Sequence, residues 1–253
     1  MTLFETTHDH LLGGRVRYEQ PAVGYRVALE APLLARFAID GRKVPFRSVL
    51  DLGAGPGAIA LMLLATGWAS RAVALEPQAV HAALAADNAR ANGLADRFVV
   101  VRRGVAGAPV EGRAELAIAN PPYFDEHGGA LAPEPTRGAS RALRQTSIAA
   151  FCKAGARSLG RGGRLVVAFP AARACELLEA LASVALVAKR MRFVYPRAGR
   201  EAQVVFVEAK PARPGGLVVE PPLLVRGEGE AYAPAVDDAL RGRWPVPRAA
   251  VER

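Results

Sequence analysis

Cysteine is nearly absent from this chain: Cys152 and Cys175 are the only two among 253 residues. Two unpatterned cysteines supply neither a disulfide framework nor a zinc site, which points to a reducing, cytoplasmic compartment. Long apolar runs are also missing. None reaches the roughly 18–20 residues of a membrane span, although 51% of the residues are hydrophobic and a sizeable core is available. Residues 1–10 carry acids and histidines in place of a basic stretch followed by an apolar one, so no signal peptide is expected. Lysine is scarce, with Lys43, Lys153, Lys189 and Lys210 the only four of 33 basic residues, yet the net charge is +9. The excess is therefore arginine, whose planar fork suits bidentate phosphate contacts, and a basic balance favours polyanions such as nucleic acid. A GC-rich genome produces the same arginine bias, so charge alone leaves the partner open. His8, His10, His81 and His127 show no ligand or triad spacing. They are expected to be structural or exposed, and no metal is expected.

What is present is a regular alternation. Strand-like runs at 48–52, 72–75, 98–101, 116–119, 165–169 and 204–208 are separated by Ala- and Leu-rich stretches of helical spacing at 58–66, 78–91, 148–159 and 171–182. The glycines of 160–163 mark a helix end before a strand. Strand alternating with helix implies a doubly wound, Rossmann-like α/β domain, its sheet mostly parallel and covered on both faces. Runs 188–195 and 203–208 have only 196–200 between them, too little for a helix, and read as a C-terminal antiparallel hairpin at the sheet edge. Three regions follow. Residues 1–47 form an N-terminal segment, of which 11–37 is expected to act as a lid; 48–210 form the central domain; 211–253 form a C-terminal extension. The Pro- and Gly-rich stretch 210–216 reads as a linker, followed by a strand-like stretch at 217–225 and a helix near 235–241. A monomer is expected.

Val49-Leu50-Asp51-Leu52-Gly53-Ala54-Gly55-Pro56-Gly57 runs off the first strand and opens a helix. Its glycines permit a sharp turn and close approach to a ligand, at the carboxyl end of a strand where open α/β sheets bind ligands. Glu76 ends the second strand, 23 residues after Gly53, where a carboxylate can accept both ribose hydroxyls of an adenosine cofactor. NAD and S-adenosylmethionine both fit this much. Asp51 tilts the choice between them, because an acid in the turn repels a pyrophosphate and welcomes an ammonium. Pro56 within the glycine run points the same way. The expected cofactor is S-adenosylmethionine, held by Asp51, Gly53, Ala54, Gly55, Gly57, Glu76, the adjacent Pro77 and Asn120.

Asn120-Pro121-Pro122-Tyr123 follows the fourth strand and is the most specific feature. Proline has no backbone donor and fixes φ, so two prolines make a rigid loop with carbonyls free to accept. With the Asn120 side-chain oxygen they can hold both hydrogens of a planar –NH2 group. The lone pair of an adenine amino nitrogen is delocalised into the ring. Two fixed acceptors favour a pyramidal nitrogen aimed at the methyl group, so positioning and electrostatics carry the reaction. Tyr123 offers a flat face on which an extruded base stacks. Asp125 and Glu126 beside the motif read as loop polarity.

These motifs resemble class I methyltransferases that act on amino nitrogens, and more narrowly the bacterial tRNA1(Val) (adenine-37 N6)-methyltransferase family. The narrower similarity rests on Leu11-Leu12-Gly13-Gly14-Arg15-Val16-Arg17-Tyr18-Glu19-Gln20-Pro21, on Gly24-Tyr25-Arg26 and Leu33-Leu34-Ala35, on Pro196-Arg197-Ala198-Gly199-Arg200, and on Tyr232-Ala233-Pro234 running to Leu240-Arg241. It covers roughly residues 11–243. The resemblance implies the class I arrangement of a doubly wound sheet ending in a hairpin, where periodicity alone allows other mixed sheets. It also implies a tRNA substrate. After the third strand the family has Gly-Asp, whose acid contacts the cofactor adenine; the resemblance therefore places Gly104 and Val105 in the cofactor site, but Val105 cannot accept that hydrogen bond, so backbone or other groups must recognise the adenine. Glu30 stands where an aspartate is usual.

Arg137, Arg141 and Arg144, which follow the motif, and Arg197 and Arg200 in the hairpin are candidates to hold RNA phosphates without reading sequence. A solvated surface explains them equally well. Two other functions use similar features. Release-factor glutamine methyltransferases act on another planar –NH2 group, but resemble a helical domain followed by this core, and only 47 residues precede the first strand here. A nucleic-acid-binding module without catalysis is supported by Val105 alone. A DNA adenine methyltransferase lacks a separate target-recognition domain in this sequence.

Overall fold

The computed structural model describes residues 5–24, 26–107, 114–122, 147–211 and 215–248. The chain opens with an antiparallel pair, β1 (Thr6–Leu11) and β2 (Val16–Pro21), in a small sheet of its own. Helix α1 (Glu30–Ile39) follows and buries Leu34, Phe37 and Ile39. The central domain then alternates as the sequence implies: β3 (Phe46–Leu52), α2 (Ala58–Ala65), β4 (Ala69–Leu75), α3 (Ala79–Ala91), β5 (Phe98–Val101), β6 (Ala114–Ala119), α4 (Ile148–Ser158), β7 (Leu159–Pro170), α5 (Ala174–Ser183), β8 (Leu186–Tyr195) and β9 (Val204–Pro211). The extension adds β10 (Val218–Val219), β11 (Leu223–Leu224) and α6 (Pro234–Leu240).

Among the described residues the main sheet has the order β10-β8-β9-β7-β6-β3-β4-β5, with β11 also paired to β8. Strands β5, β4, β3, β6 and β7 are parallel, and β9 lies antiparallel between β7 and β8. This is the expected doubly wound α/β sheet with its C-terminal hairpin. One apolar layer joins α1, α2 and α3 to one face through Phe46, Leu116, Val166 and Phe206. The other joins α4 and α5 to the opposite face through Leu50, Leu165, Val167 and Val207. Helix α2 is apolar on every side because it is wedged between the sheet and α1, and Ala58 to Leu64 are all buried.

Two local details differ from the sequence reading. The glycines of 160–163 do not separate a helix from a strand. Leu159 already pairs with Ala114, and the register then shifts before Arg164 pairs with Leu116. A Cβ at Gly163 would lie 2.6 Å from the Ala114 carbonyl oxygen, so the bulge needs glycine for backbone approach. The hairpin is also not the last element of the sheet. Its outer arm, β8, still has unpaired backbone groups, and the extension covers them: Glu220 N–H donates to Met191 at 2.8 Å and Val225 N–H to Tyr195 at 2.8 Å. Pro221 and Pro222 split the expected strand of 217–225 into two short pieces. The extension is anchored by Trp68, whose indole N–H donates to the Pro245 carbonyl at 2.7 Å.

Candidate active site

The carboxyl end of β3 turns into a loop in which Gly53, Gly55 and Gly57 have φ of 70°, 55° and 89°. Gly53 and Ala54 both donate to the Leu75 carbonyl, at 2.9 and 3.0 Å, which ties the loop to the end of β4. Gly57 caps α2 in a left-handed conformation, with Phe98 3.0 Å from where a Cβ would stand, so glycine is required there twice over.

Two carboxylates are enclosed beneath this loop. Asp51 is 2% exposed, and its Oδ2 accepts from the Ala60 N–H at 3.2 Å, in the first turn of α2. Burial pushes its carboxyl up to about 7; the Ala60 N–H works against this and neighbouring Glu76 adds to it. Glu76 accepts from Gly55 N–H at 2.9 Å through Oε2 and from Gln78 N–H at 2.8 Å through Oε1. Burial raises its pKa against the pull of those two donors. No arginine or lysine ion-pairs with either acid among the described residues. The nearest basic side chain is His81, its Nδ1 4.0 Å from Glu76, and burial lowers its pKa, so it is neutral there.

The Asn120 motif adjoins this site. Ala119, the last residue of β6, pairs with Leu52, the last of β3, so Asn120 leaves the sheet beside Gly53. Pro121 is buried and Pro122 half-buried. On the other side of the loop, a Cβ at Gly104 would stand 4.0 Å from Pro77, and Val105 is buried in the apolar layer with Leu50 and Leu75. Every described member of the expected cofactor set thus borders the carboxyl ends of β3, β4, β5 and β6. Tyr123, Arg137, Arg141 and Arg144 lie outside the described residues. Arg197 and Arg200 sit in the turn after β8, at the same end of the sheet but three strands beyond β6. Arg197 is paired with Glu230 of the extension, and Arg226 stacks 5.0 Å over the Tyr232 ring beside it.

Three residues near the site make contacts that the sequence did not suggest. His81, expected to be structural or exposed, is buried and faces Glu76. Asn88, on α3, receives the Glu19 N–H at 2.7 Å and donates to the Glu19 carbonyl at 2.9 Å and to the Pro56 carbonyl at 3.1 Å. Asn92, one turn later, clasps Arg17 in the same way at 2.9 and 2.7 Å. The two amides act as a substitute strand for β2 and fasten the N-terminal hairpin to the glycine loop. Their i, i+4 spacing was the available signal.

Residues 33–195 match the sequence profile of the methyltransferase small domain. The chain belongs to that family. This methyltransferase is 33% identical over 165 residues to a tRNA1(Val) (adenine(37)-N6)-methyltransferase of Aeromonas hydrophila, covering 64% of this chain and 67% of that one. It is also 43% identical over 91 residues to a release factor glutamine methyltransferase of Cereibacter sphaeroides. That match spans 36% of this chain and only 32% of the relative's length. In fold it is similar to the crystal structure of a predicted O-methyltransferase from Agrobacterium tumefaciens, with a TM-score of 0.66 and 22% identity over 87% of this chain and 98% of that one. The enzyme is a class I methyltransferase dependent on S-adenosylmethionine. No helix among the described residues is long and apolar enough to cross a membrane.

Proposed function

We propose that this methyltransferase acts on the exocyclic N6 of an adenine in RNA, at position 37 of a tRNA anticodon loop. The observation that carries the proposal is the position of Asn120-Pro121-Pro122, beside the glycine loop, in a chain similar over most of its length to a tRNA adenine-N6 enzyme. The cofactor assignment fits the donor set. A cationic ligand satisfies two buried carboxylates that lack cationic partners, and a Cβ at Gly55 would meet no atom within 4 Å, so the space at the loop is open. In this reading Asp51 faces the cofactor ammonium and Glu76 its ribose, with Gly53, Ala54, Gly57, Pro77, Gly104 and Val105 shaping the remaining wall. The bound cofactor supplies an electrophilic methyl group on a sulfonium.

The chain's own work is positioning. Asn120 and the carbonyls of the proline pair accept the two amino hydrogens, and Tyr123 stacks the base. A loop nucleotide is favoured, because an unpaired base costs less to extrude than one in a duplex. Arg200, with Arg137, Arg141 and Arg144, is assigned to phosphates; Arg197 shares its charge with Glu230. The hairpin of β1 and β2, fastened to Pro56 through Asn88, serves as the lid of the 1–47 segment. The enzyme works as a cytoplasmic monomer.

Mass spectrometry of tRNA nucleosides from a deletion strain tests this. Loss of N6-methyladenosine from one tRNA anticodon loop is expected, and unchanged tRNA would remove the proposal. The similarity to the glutamine enzyme favours a second reading, since a glutamine amide is also a planar –NH2. Loss of methylglutamine from a release factor in the same strain identifies that case.

A further inference from the structure

At the opposite end of the sheet from the Asn120 motif, a cavity of about 510 Å3 opens between the loop joining α1 to β3 and the first halves of β7 and β8. Five cations and three carboxylates line it. All three carboxylates are already held. Glu208, 1% exposed, meets Arg164 at 3.2 Å, Arg190 at 3.0 Å and Lys210 at 3.1 Å. Glu220 meets Arg190 and Arg192, both at 2.7 Å. Asp40 is paired with Arg36 and lies 3.5 Å from Arg192. Arg42 and Lys43 have no carboxylate partner among the described residues; Arg42 donates instead to the Val44 carbonyl at 3.1 Å and the Pro45 carbonyl at 3.4 Å.

The position of Arg42 sharpens the imbalance. Its guanidinium lies 3.8 Å over the Phe46 ring, and Arg164 approaches the same ring at 5.8 Å. Burial, and then the charge of Arg164, push the Arg42 pKa down against the opposing pull of Glu115 and Glu208. The Arg164 Nε is buried without a hydrogen-bond partner. Like charges crowded over one ring, with a donor unused, call for an anion.

We propose that this cavity binds a phosphate group, free or as the monoester of a small molecule. The two unbalanced cations match a dianion, and guanidinium forks pair bidentately with phosphate oxygens. The ion-pair network fixes the arginines in advance, which lowers the cost of binding. A volume of this size lies in the range of small-molecule sites and exceeds what one phosphodiester of a passing RNA backbone fills.

The test is titration calorimetry on the full chain saturated with S-adenosylhomocysteine, which occupies the cofactor site. The probes are inorganic phosphate and ribose 5-phosphate. Saturable one-to-one binding is expected, weakened about tenfold or more by Arg42→Ala. Lys43→Ala, at an exposed position that folding does not need, is expected to weaken it several-fold. Tighter binding of the sugar phosphate assigns the site to the monoester, and equal affinity assigns it to the free ion. No binding of either probe, or unaltered binding in both variants, overturns the proposal. So does a loss of tRNA affinity in the variants when neither small phosphate binds, which makes the cavity an RNA contact.

Discussion

Asp51 and Glu208 are both almost wholly buried carboxylates of one sheet, 2% and 1% exposed, yet their proton affinities move in opposite directions. Asp51, at the carboxyl end of β3, is pushed up to about 7 by burial. Glu208, level with Asp51 in register but three strands away on β9, is held below its ordinary value because Arg164, Lys210 and Arg190 outweigh the same burial penalty. A buried charge that the chain neutralises itself stitches elements together: Glu208 joins β7, β8 and β9. A buried acid left without a cation is, on the proposed reading, a site for one. The contrast separates a structural acid from a ligand-binding acid at equal burial.

The largest effect should come from breaking the structural acid. Glu208→Gln strands three cations and is expected to destabilise the fold by about 3–5 kcal/mol. Urea unfolding would show this, while cofactor affinity of the folded protein stays unchanged. A loss below about 1 kcal/mol would mean that the cations relax into solvent. Around Asp51 the largest effect is kinetic. Asn120→Ala should lower turnover by about 10²–10³-fold with near-normal cofactor binding, and near-normal turnover would sink the proposed mechanism. Glu76→Ala should weaken binding of S-adenosylhomocysteine about tenfold to a hundredfold, the worth of one or two charged hydrogen bonds. Equal affinity in the calorimeter would remove Glu76 from the site.

The smallest effect is also the most diagnostic of the contrast, because the two acids give opposite pH slopes. A folded pKa raised to about 7 from 3.8 means that Asp51 contributes stability at low pH, which is lost as pH rises through that window. Glu208, with its pKa depressed below 4.5, contributes stability above that value, which is lost as pH falls through the lowered one. On the proposed reading, in which Asp51 faces the cofactor ammonium, binding requires Asp51 ionised. Affinity for S-adenosylhomocysteine should therefore rise by up to about tenfold per pH unit toward pH 7 and then level off. Asp51→Asn should flatten the curve, and an unchanged curve in that variant would place the titrating group elsewhere.

Much of this site was legible from sequence because its parts are local. The glycine loop is one contiguous run, Glu76 ends the next strand, and the Asn120 motif ends another, so reading the strands placed all three at one end of the sheet. What escaped was set by contacts between distant segments. Asn88 and Asn92 clasp residues 69 and 75 positions away. Glu208 gathers cations from three strands, and the bulge at Gly163 answers to the carbonyl of Ala114. No periodicity records such pairings. Charge counting also overstated the hairpin rim, since Glu230 comes from a tail whose docking could not be foreseen.

The central claim is that the end of the sheet carrying Asp51, Glu76 and Asn120 delivers a methyl group to adenine N6 in tRNA. The direct measurement is incubation of pure enzyme with unmodified tRNA transcripts, a release factor and duplex DNA, each with labelled cofactor, followed by mapping of the label. The account predicts N6-methyladenosine beside the anticodon of a tRNA, and none in Asn120→Ala. Label in a release-factor glutamine or in duplex DNA in preference to any tRNA would contradict it.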